Sequence, residues 1–222
     1  MTFPDITDIY RDFYMPEYII ATIRKYLKGR ILDVGTADGK KLRFLTDGCS
    51  IDRIVAVEPD SELIQRAKKL FRGEAVDFIN ERFENFEGRR GYFNVILMLE
   101  VIEHVSFKLR EVFLKKIKYL LAEDGIVIVS TPNKYIYRII TILGVEKWEK
   151  THISEMHYWE FRKLMGINFI EEHFLGVLAG MSIVRRFPRL YGMFSFVSRH
   201  CAHPLVSRSV YFIGRKRKEK SE

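Results

Sequence analysis

Cysteine is scarce: Cys49 and Cys201 are the only two in 222 residues, and they stand far apart in no metal-type or redox-type spacing. No disulfide framework is implied, and a reducing, cytoplasmic setting is expected. Long apolar runs are missing too. No stretch supplies the ~20 apolar residues of a membrane span. The opening segment, MTFPDITDIYRDFY, mixes acids with aromatics where a secretory signal would carry a basic start and an apolar core. The protein is therefore expected to be soluble or at most peripheral. There is no internal repeat and no low-complexity tract. With 47% hydrophobic residues the chain can bury one substantial core, so residues 1–222 read as a single domain.

The net charge is +8, which suits an anionic partner such as RNA, an anionic cofactor or a phospholipid surface. Much of the excess sits in the tail Arg215-Lys216-Arg217-Lys218-Glu219-Lys220, and a short basic tail is more often a solvated end than a recognition element.

Ile19, Ile20, Ile23 and Leu27 have helical spacing, and Gly29 is expected to stop that helix before the apolar run at Ile31. Short apolar strands then alternate with amphipathic segments. Strands are expected at 31–34, 54–57, 76–79, 95–99 and 126–130, and helices near 40–47, 61–71 and 108–121. This order predicts an α/β, Rossmann-like, doubly wound and mostly parallel sheet with helices on both faces. Ligands of such sheets bind beyond the carboxyl ends of the strands.

The segment ILDVGTADG, Ile31 to Gly39, runs a buried strand into a glycine turn that opens a helix, so that backbone N–H groups can approach a ligand closely. A dinucleotide fingerprint would need glycines where Ala37 and Lys40 stand, which disfavours NAD. About 20 residues on, the second strand ends in Glu58 of VAVEPD, placed to accept hydrogen bonds from both hydroxyls of an adenosine ribose.

DVGTADG followed by VAVEPD resembles the first two motifs of class I S-adenosylmethionine-dependent methyltransferases, with Ala37 in place of the commoner middle glycine. The resemblance continues through NVILMLEVIEHV and AEDGIVIVSTPN and covers most of residues 17–175. It implies that Asp33, Gly35 and Gly39, with Ala37 in the same turn, surround the methionine part of the cofactor. Glu58 would hold the ribose and Pro59 would flank the adenine. Glu81, Arg82 and Phe83 would contact the adenine, and Met98 and Leu99 would line the cofactor.

Glu100, Glu103 and His104 in EVIEHV are spaced i, i+3 and i+4, which on one helical turn puts all three on one face at the catalytic rim. Small-RNA 3′-terminal 2′-O-methyltransferases and ubiquinone-pathway O-methyltransferases share this Glu-x-x-Glu-His arrangement. By that resemblance it binds a divalent cation, Mg²⁺ or Mn²⁺, completed by a distal histidine. His152 in THISEMHYWEF matches best, and His157 is the alternative. Without a metal, His104 would act as general base, with Glu100 beside it.

The acceptor is to be read from two caps. Residues 134–150, rich in tyrosine and isoleucine, are expected to wall an apolar or lipid-like small-molecule acceptor site; the plainer alternative is an amphipathic helix packed on the sheet. Residues 175–204, with arginines among phenylalanines, are expected to cap the domain or to touch a membrane surface. Transfer to an oxygen of a small or lipid-like acceptor is the resulting expectation. An RNA 2′-O-methyltransferase and a non-catalytic cofactor-binding partner subunit are the alternatives.

Overall fold

The computed structural model describes residues 15–71, 75–144, 147–178, 203–217 and six positions between them and after 178, namely 189, 193, 196, 197, 199 and 200. Helix α1 (Glu17–Arg24) buries Ile19, Ile20 and Ile23, as their spacing predicts. It ends earlier than Leu27, where short-range bonds from Tyr26 N to Ile23 O and from Leu27 N to Arg24 O tighten the chain. Gly29 does not stop this helix. It opens β1 (Gly29–Val34) with φ 70°.

The alternation then follows the expected order: α2 (Lys40–Thr46), β2 (Ile51–Val57), α3 (Ser61–Leu70), β3 (Val76–Ile79), β4 (Phe93–Leu99), α4 (Phe107–Leu120) and β5 (Leu121–Pro132). Both β2 and β5 start before their apolar runs. Their opening stretches are interrupted by exposed charges, Asp52 and Arg53 in β2 and Glu123 and Asp124 in β5, so no continuous apolar pattern marks these amino ends. Asp60 caps α3, its carboxylate accepting from Glu62 N at 2.8 Å and Leu63 N at 3.1 Å.

The remaining elements are α5 (Lys134–Ile142), α6 (Tyr158–Asn168), β6 (Phe169–Leu178) and β7 (Ser207–Lys216). The seven strands lie in the order β3-β2-β1-β4-β5-β7-β6, and β7 runs antiparallel to both its neighbours. Successive residues of a strand face opposite sides, so the core divides in two. Leu32, Ile96, Met98, Val127 and Phe212 pack on the side of α4 and α6. Ile31, Leu97, Leu99, Ile128 and Ile213 pack on the side of α1 and α2.

Strand order reverses between β1 and β4, the place where such sheets leave a crevice at their carboxyl ends. At the same carboxyl rim, α5 follows β5. It buries Tyr137 and Ile140 and leaves its outer face exposed, which is the packed amphipathic helix, formed in only part of the 134–150 segment. Of the 175–204 segment, residues up to Leu178 belong to β6 and most of the rest lies outside the described residues.

Asn133 ties this corner together. Its backbone N–H donates to Arg208 O at 2.7 Å, and its buried amide donates to Pro204 O and Ser207 O, both at 3.0 Å. Asn133→Ala orphans two carbonyls in a buried junction and is expected to lower the unfolding free energy by about 2–4 kcal/mol, read from urea denaturation.

Candidate functional site

The turn after β1 is shaped by left-handed backbone: Gly35, Ala37 and Gly39 have φ of 74°, 50° and 78°. Gly35 N and Thr36 N both donate to Val57 O, at 2.8 and 3.3 Å, which pins the turn to the end of β2. A Cβ at Gly35 would lie 2.5 Å from Val101 Cγ2, and one at Gly39 would lie 2.9 Å from Ala67 Cβ. Glycine is thus required twice over, by conformation and by space. The Glu58 carboxylate accepts from Ala37 N at 3.0 Å and from Asp60 N at 3.1 Å, bridging the turns after β1 and β2.

These pieces enclose a cleft of about 310 Å³ lined by Asp33, Gly35, Thr36, Ala37, Asp38, Lys41, Leu42, Leu45, Leu97, Leu99 and Glu100. Asp33 is buried, and burial raises its carboxyl to about 6, against the lowering effect of the Thr36 hydroxyl and Lys41. A concave apolar floor, a buried acid and close-approaching backbone fit a cationic, nucleoside-bearing cofactor.

On the other bank of the cleft β4 ends abruptly. Glu100 N donates to Ser130 O and to Ser130 Oγ, both at 3.1 Å, and Glu100 itself adopts φ 59°, a left-handed conformation rare outside glycine. Its carboxylate accepts from Ser130 Oγ at 2.8 Å and lies 3.7 Å from the Arg208 guanidinium. Tyr211 is buried next to this pair, and burial, then Glu100, push its hydroxyl well above the ordinary tyrosine range.

A single 3-10 turn, Ile102–His104, follows the kink. It turns Glu103 fully inward and leaves His104 exposed. Thr131 Oγ1 donates to one Glu103 oxygen at 3.2 Å, while Oε1 of Glu103 is buried with no hydrogen-bond partner. Burial, and then the charge of Glu100, raise the Glu103 carboxyl well above the usual range.

The segment before α6 folds back onto this turn. Ser154 donates from N and Oγ to Glu103 O at 3.0 and 3.1 Å, and from Oγ to Val105 O at 2.5 Å; Arg110 of α4 donates to Ser154 O. That clasp brings His152 against His104, with ring centroids 4.8 Å apart. One ligand atom each from Glu103, His104 and His152 then falls within 4.8 Å of the others. His104 Nδ1 lies 3.1 Å from Thr151 O. A carbonyl can only accept, so Nδ1 carries a proton, and in the neutral ring the lone pair is on Nε2. Burial and the facing His104 lower the pKa of His152, and Tyr137 packs 5.1 Å from its ring.

A family model described as "Methyltransferase domain" matches residues 12–180. The chain belongs to that family. It is an S-adenosylmethionine-dependent methyltransferase with the Rossmann-like α/β fold. Solved structures share this fold at low identity. A Pyrococcus horikoshii protein aligns over 97% of both chains with 16% identity and a TM-score of 0.68. The geranyl diphosphate C-methyltransferase of Streptomyces coelicolor, in complex with Mg²⁺, geranyl-S-thiolodiphosphate and S-adenosyl-L-homocysteine, aligns over 89% of this chain and 75% of its own, with 12% identity and a TM-score of 0.64. The small RNA methyltransferase HEN1 covers 100% of this chain with 21% identity and a TM-score of 0.69, but the match spans only 27% of its own length. No curated protein sequence matches.

Not every expected residue reaches the site. Asp33, Gly35, Ala37 and Leu99 line the cleft; Gly39 shapes it and Glu58 braces it. Met98 is a correction, because strand alternation points it to the α4 side, and Leu97, unexpected, lines the cleft with Leu99. Phe83 is another. It packs in the core against Phe86 and Phe113, with Lys116 over its ring. Pro59, Glu81 and Arg82 do not line the cleft, and Arg82 pairs with Glu84 at 2.6 Å.

The expected single face of Glu100, Glu103 and His104 is also corrected. The kink at Glu100 and the tighter 3-10 turn send Glu100 towards Ser130 and Arg208, apart from the Glu103, His104 and His152 group. His152 stands in that group, whereas His157 stacks on Trp159 with centroids 4.3 Å apart.

The raised Asp33 has a measurable consequence. The folded chain holds this proton more tightly than the unfolded chain, so its contribution makes stability fall as pH rises between about 4 and 6. Relative to Asp33→Asn, the wild type is expected to lose up to about 3 kcal/mol across that window, measured by urea melts at a series of pH values.

Proposed function

We propose that this methyltransferase methylates an oxygen of a small or lipid-like acceptor seated between α5 and the Glu100–His104 turn, with a divalent cation held by Glu103, His104 and His152. The observation that carries this reading is the buried Glu103 carboxylate, with its Oε1 unpartnered, grouped with two histidines, one of which in its neutral form has its lone pair on Nε2 because Nδ1 donates to Thr151 O. A buried carboxylate oxygen without a donor is costly unless something cationic meets it. One carboxylate and two imidazoles suit Mn²⁺ better than Mg²⁺, which prefers oxygen ligands. When bound, such an ion supplies a Lewis acid that favours a deprotonated acceptor oxygen.

S-adenosylmethionine, when bound, supplies a methyl group already activated by its sulfonium charge. The work left to the protein is therefore placement. In this reading Gly35, Ala37 and Gly39 admit the cofactor to the backbone, Leu97 and Leu99 form its floor, and Asp33 and Glu58 supply acidic partners for its amino and hydroxyl groups. Without the cation, His104 Nε2 would instead be the group placed to take a proton from the acceptor. Tyr137, with Trp148 at 6.0 Å between ring centroids, offers an aromatic wall suited to an apolar body. RNA is the second reading, favoured by the +8 charge.

Three measurements test this. Glu58→Ala is expected to weaken S-adenosylmethionine binding, read by calorimetry, by about tenfold to a hundredfold, the loss of two charged hydrogen bonds. A chelator is expected to stop methyl transfer and Mn²⁺ to restore it, with Glu103→Gln unresponsive to the metal; transfer that ignores the chelator removes the cation from the reading. Incubation of the enzyme with labelled cofactor and a cell extract is expected to place label in the lipid or small-molecule fraction. Label in RNA would favour the second reading.

A further inference from the structure

The helix beside the candidate site has a second face. Inward, α5 buries Tyr137 and Ile140, and Tyr137 packs against His152. Outward, Tyr135, Ile139, Ile142 and Leu143 follow the i, i+4, i+7, i+8 spacing of a single stripe. All four are exposed, Ile142 at 84% and Leu143 at 70%. Single exposed apolar residues are ordinary on protein surfaces, but an aligned stripe of branched side chains marks a contact surface. The turn Pro204–Val206 is tied to the first residue before α5 through Asn133 and adds Leu205 and Val206, both nearly half exposed.

The chain that rejoins the sheet near this stripe is basic. From His173 to Gly214 it has no acidic residue and five arginines. Four of them, Arg185, Arg186, Arg189 and Arg199, belong to the connection between β6 and β7. Since β6 runs parallel to β5 and β7 returns antiparallel, that connection leaves and rejoins the sheet at the carboxyl rim, beside α5. Of its described positions, Arg189, Met193, Phe196 and Arg199 are all exposed. Within 134–155 four cations, Lys134, Arg138, Lys147 and Lys150, stand against Glu146, Glu149 and Glu155, and Arg138 pairs with Glu155 at 3.3 Å, which leaves the lysines to meet an anionic surface.

We propose that the outer face of α5, with the Pro204–Val206 turn beside it, lies on an anionic lipid surface. It rests on the lipid-like reading of the acceptor only for its purpose: a helix with one face in the headgroup layer and the other on the site hands a membrane-held acceptor to the enzyme without releasing it into water. The attachment is interfacial, because no helix among the described residues is long and apolar enough to cross a membrane. Basic residues bring the surface to the lipid, and the apolar stripe holds it there.

The test is co-sedimentation of the full chain with vesicles, measured without any acceptor, so that its outcome is independent of what is methylated. One set contains phosphatidylcholine alone and the other includes one third phosphatidylglycerol. The wild type is expected to pellet with the anionic set and to be released by high salt. The double variant Ile142→Ser, Leu143→Ser leaves the charge unchanged and is expected to bind about tenfold more weakly or worse. Ile167→Ser is the control: this residue is 66% exposed on α6 next to the start of β6, at the opposite end of the sheet, and its loss is expected to leave vesicle binding intact.

Calorimetry with S-adenosylmethionine checks that all three proteins keep the donor site. Wild type that ignores both vesicle sets overturns the proposal, as does a double variant that binds as wild type. Two further results also overturn it: RNA retained by the wild type in place of vesicles, or a dimer that the double variant splits with no change in vesicle binding.

Discussion

The last rung between β4 and β5 sets the geometry of the catalytic rim. Glu100 N reaches both the carbonyl and the hydroxyl of Ser130, and that double acceptance holds Glu100 in left-handed backbone. Such a conformation persists only where surrounding structure over-determines it. From the kink follows the tight 3-10 turn, from the turn follows an inward Glu103 and an outward His104, and onto the Glu103 carbonyl docks the segment that carries His152. Without the rung, the acid and the two imidazoles would have no reason to meet.

The donor side was largely legible in the sequence because it is local. A strand, a glycine turn and a helix occupy adjacent residues, so Gly35, Gly39 and Asp33 could be placed from ILDVGTADG alone, and the apolar runs named every parallel strand. The proposed acceptor side is assembled from distant parts. Ser130 lies 30 residues from Glu100, and Arg110 lies 44 residues from Ser154. No periodicity announces such pairs. Two misplacements had a local origin: choosing Met98 over Leu97 required the strand's phase, and reading EVIEHV as an α-helical face missed the left-handed residue that shifts its angle.

Polar groups concentrate where the fold least tolerates them. Asp33, Glu103, Thr131, Ser130 and Asn133 are all buried at the carboxyl ends of central strands. Asn133 and Ser130 are held by hydrogen bonds to their surroundings, while Asp33 and Glu103 are left under-compensated, their carboxyls raised chiefly by burial. Stability is given up at the two positions that face the donor cleft and the acceptor turn, which is where opposite charge would arrive with ligands.

Gly35 and Val101 touch across the crevice, so closely that one extra methyl on the glycine would collide with the valine. In the proposed reading residue 101, the neighbour of Glu100, belongs to the acceptor bank and residue 35 to the donor bank. The two halves of the reaction therefore share a wall one side chain thick. Any drift in acceptor preference that enlarges or reshapes position 101 is transmitted to the methyl donor's turn. The banks must change together, and new acceptors are more readily accommodated through α5, which can vary without disturbing that wall.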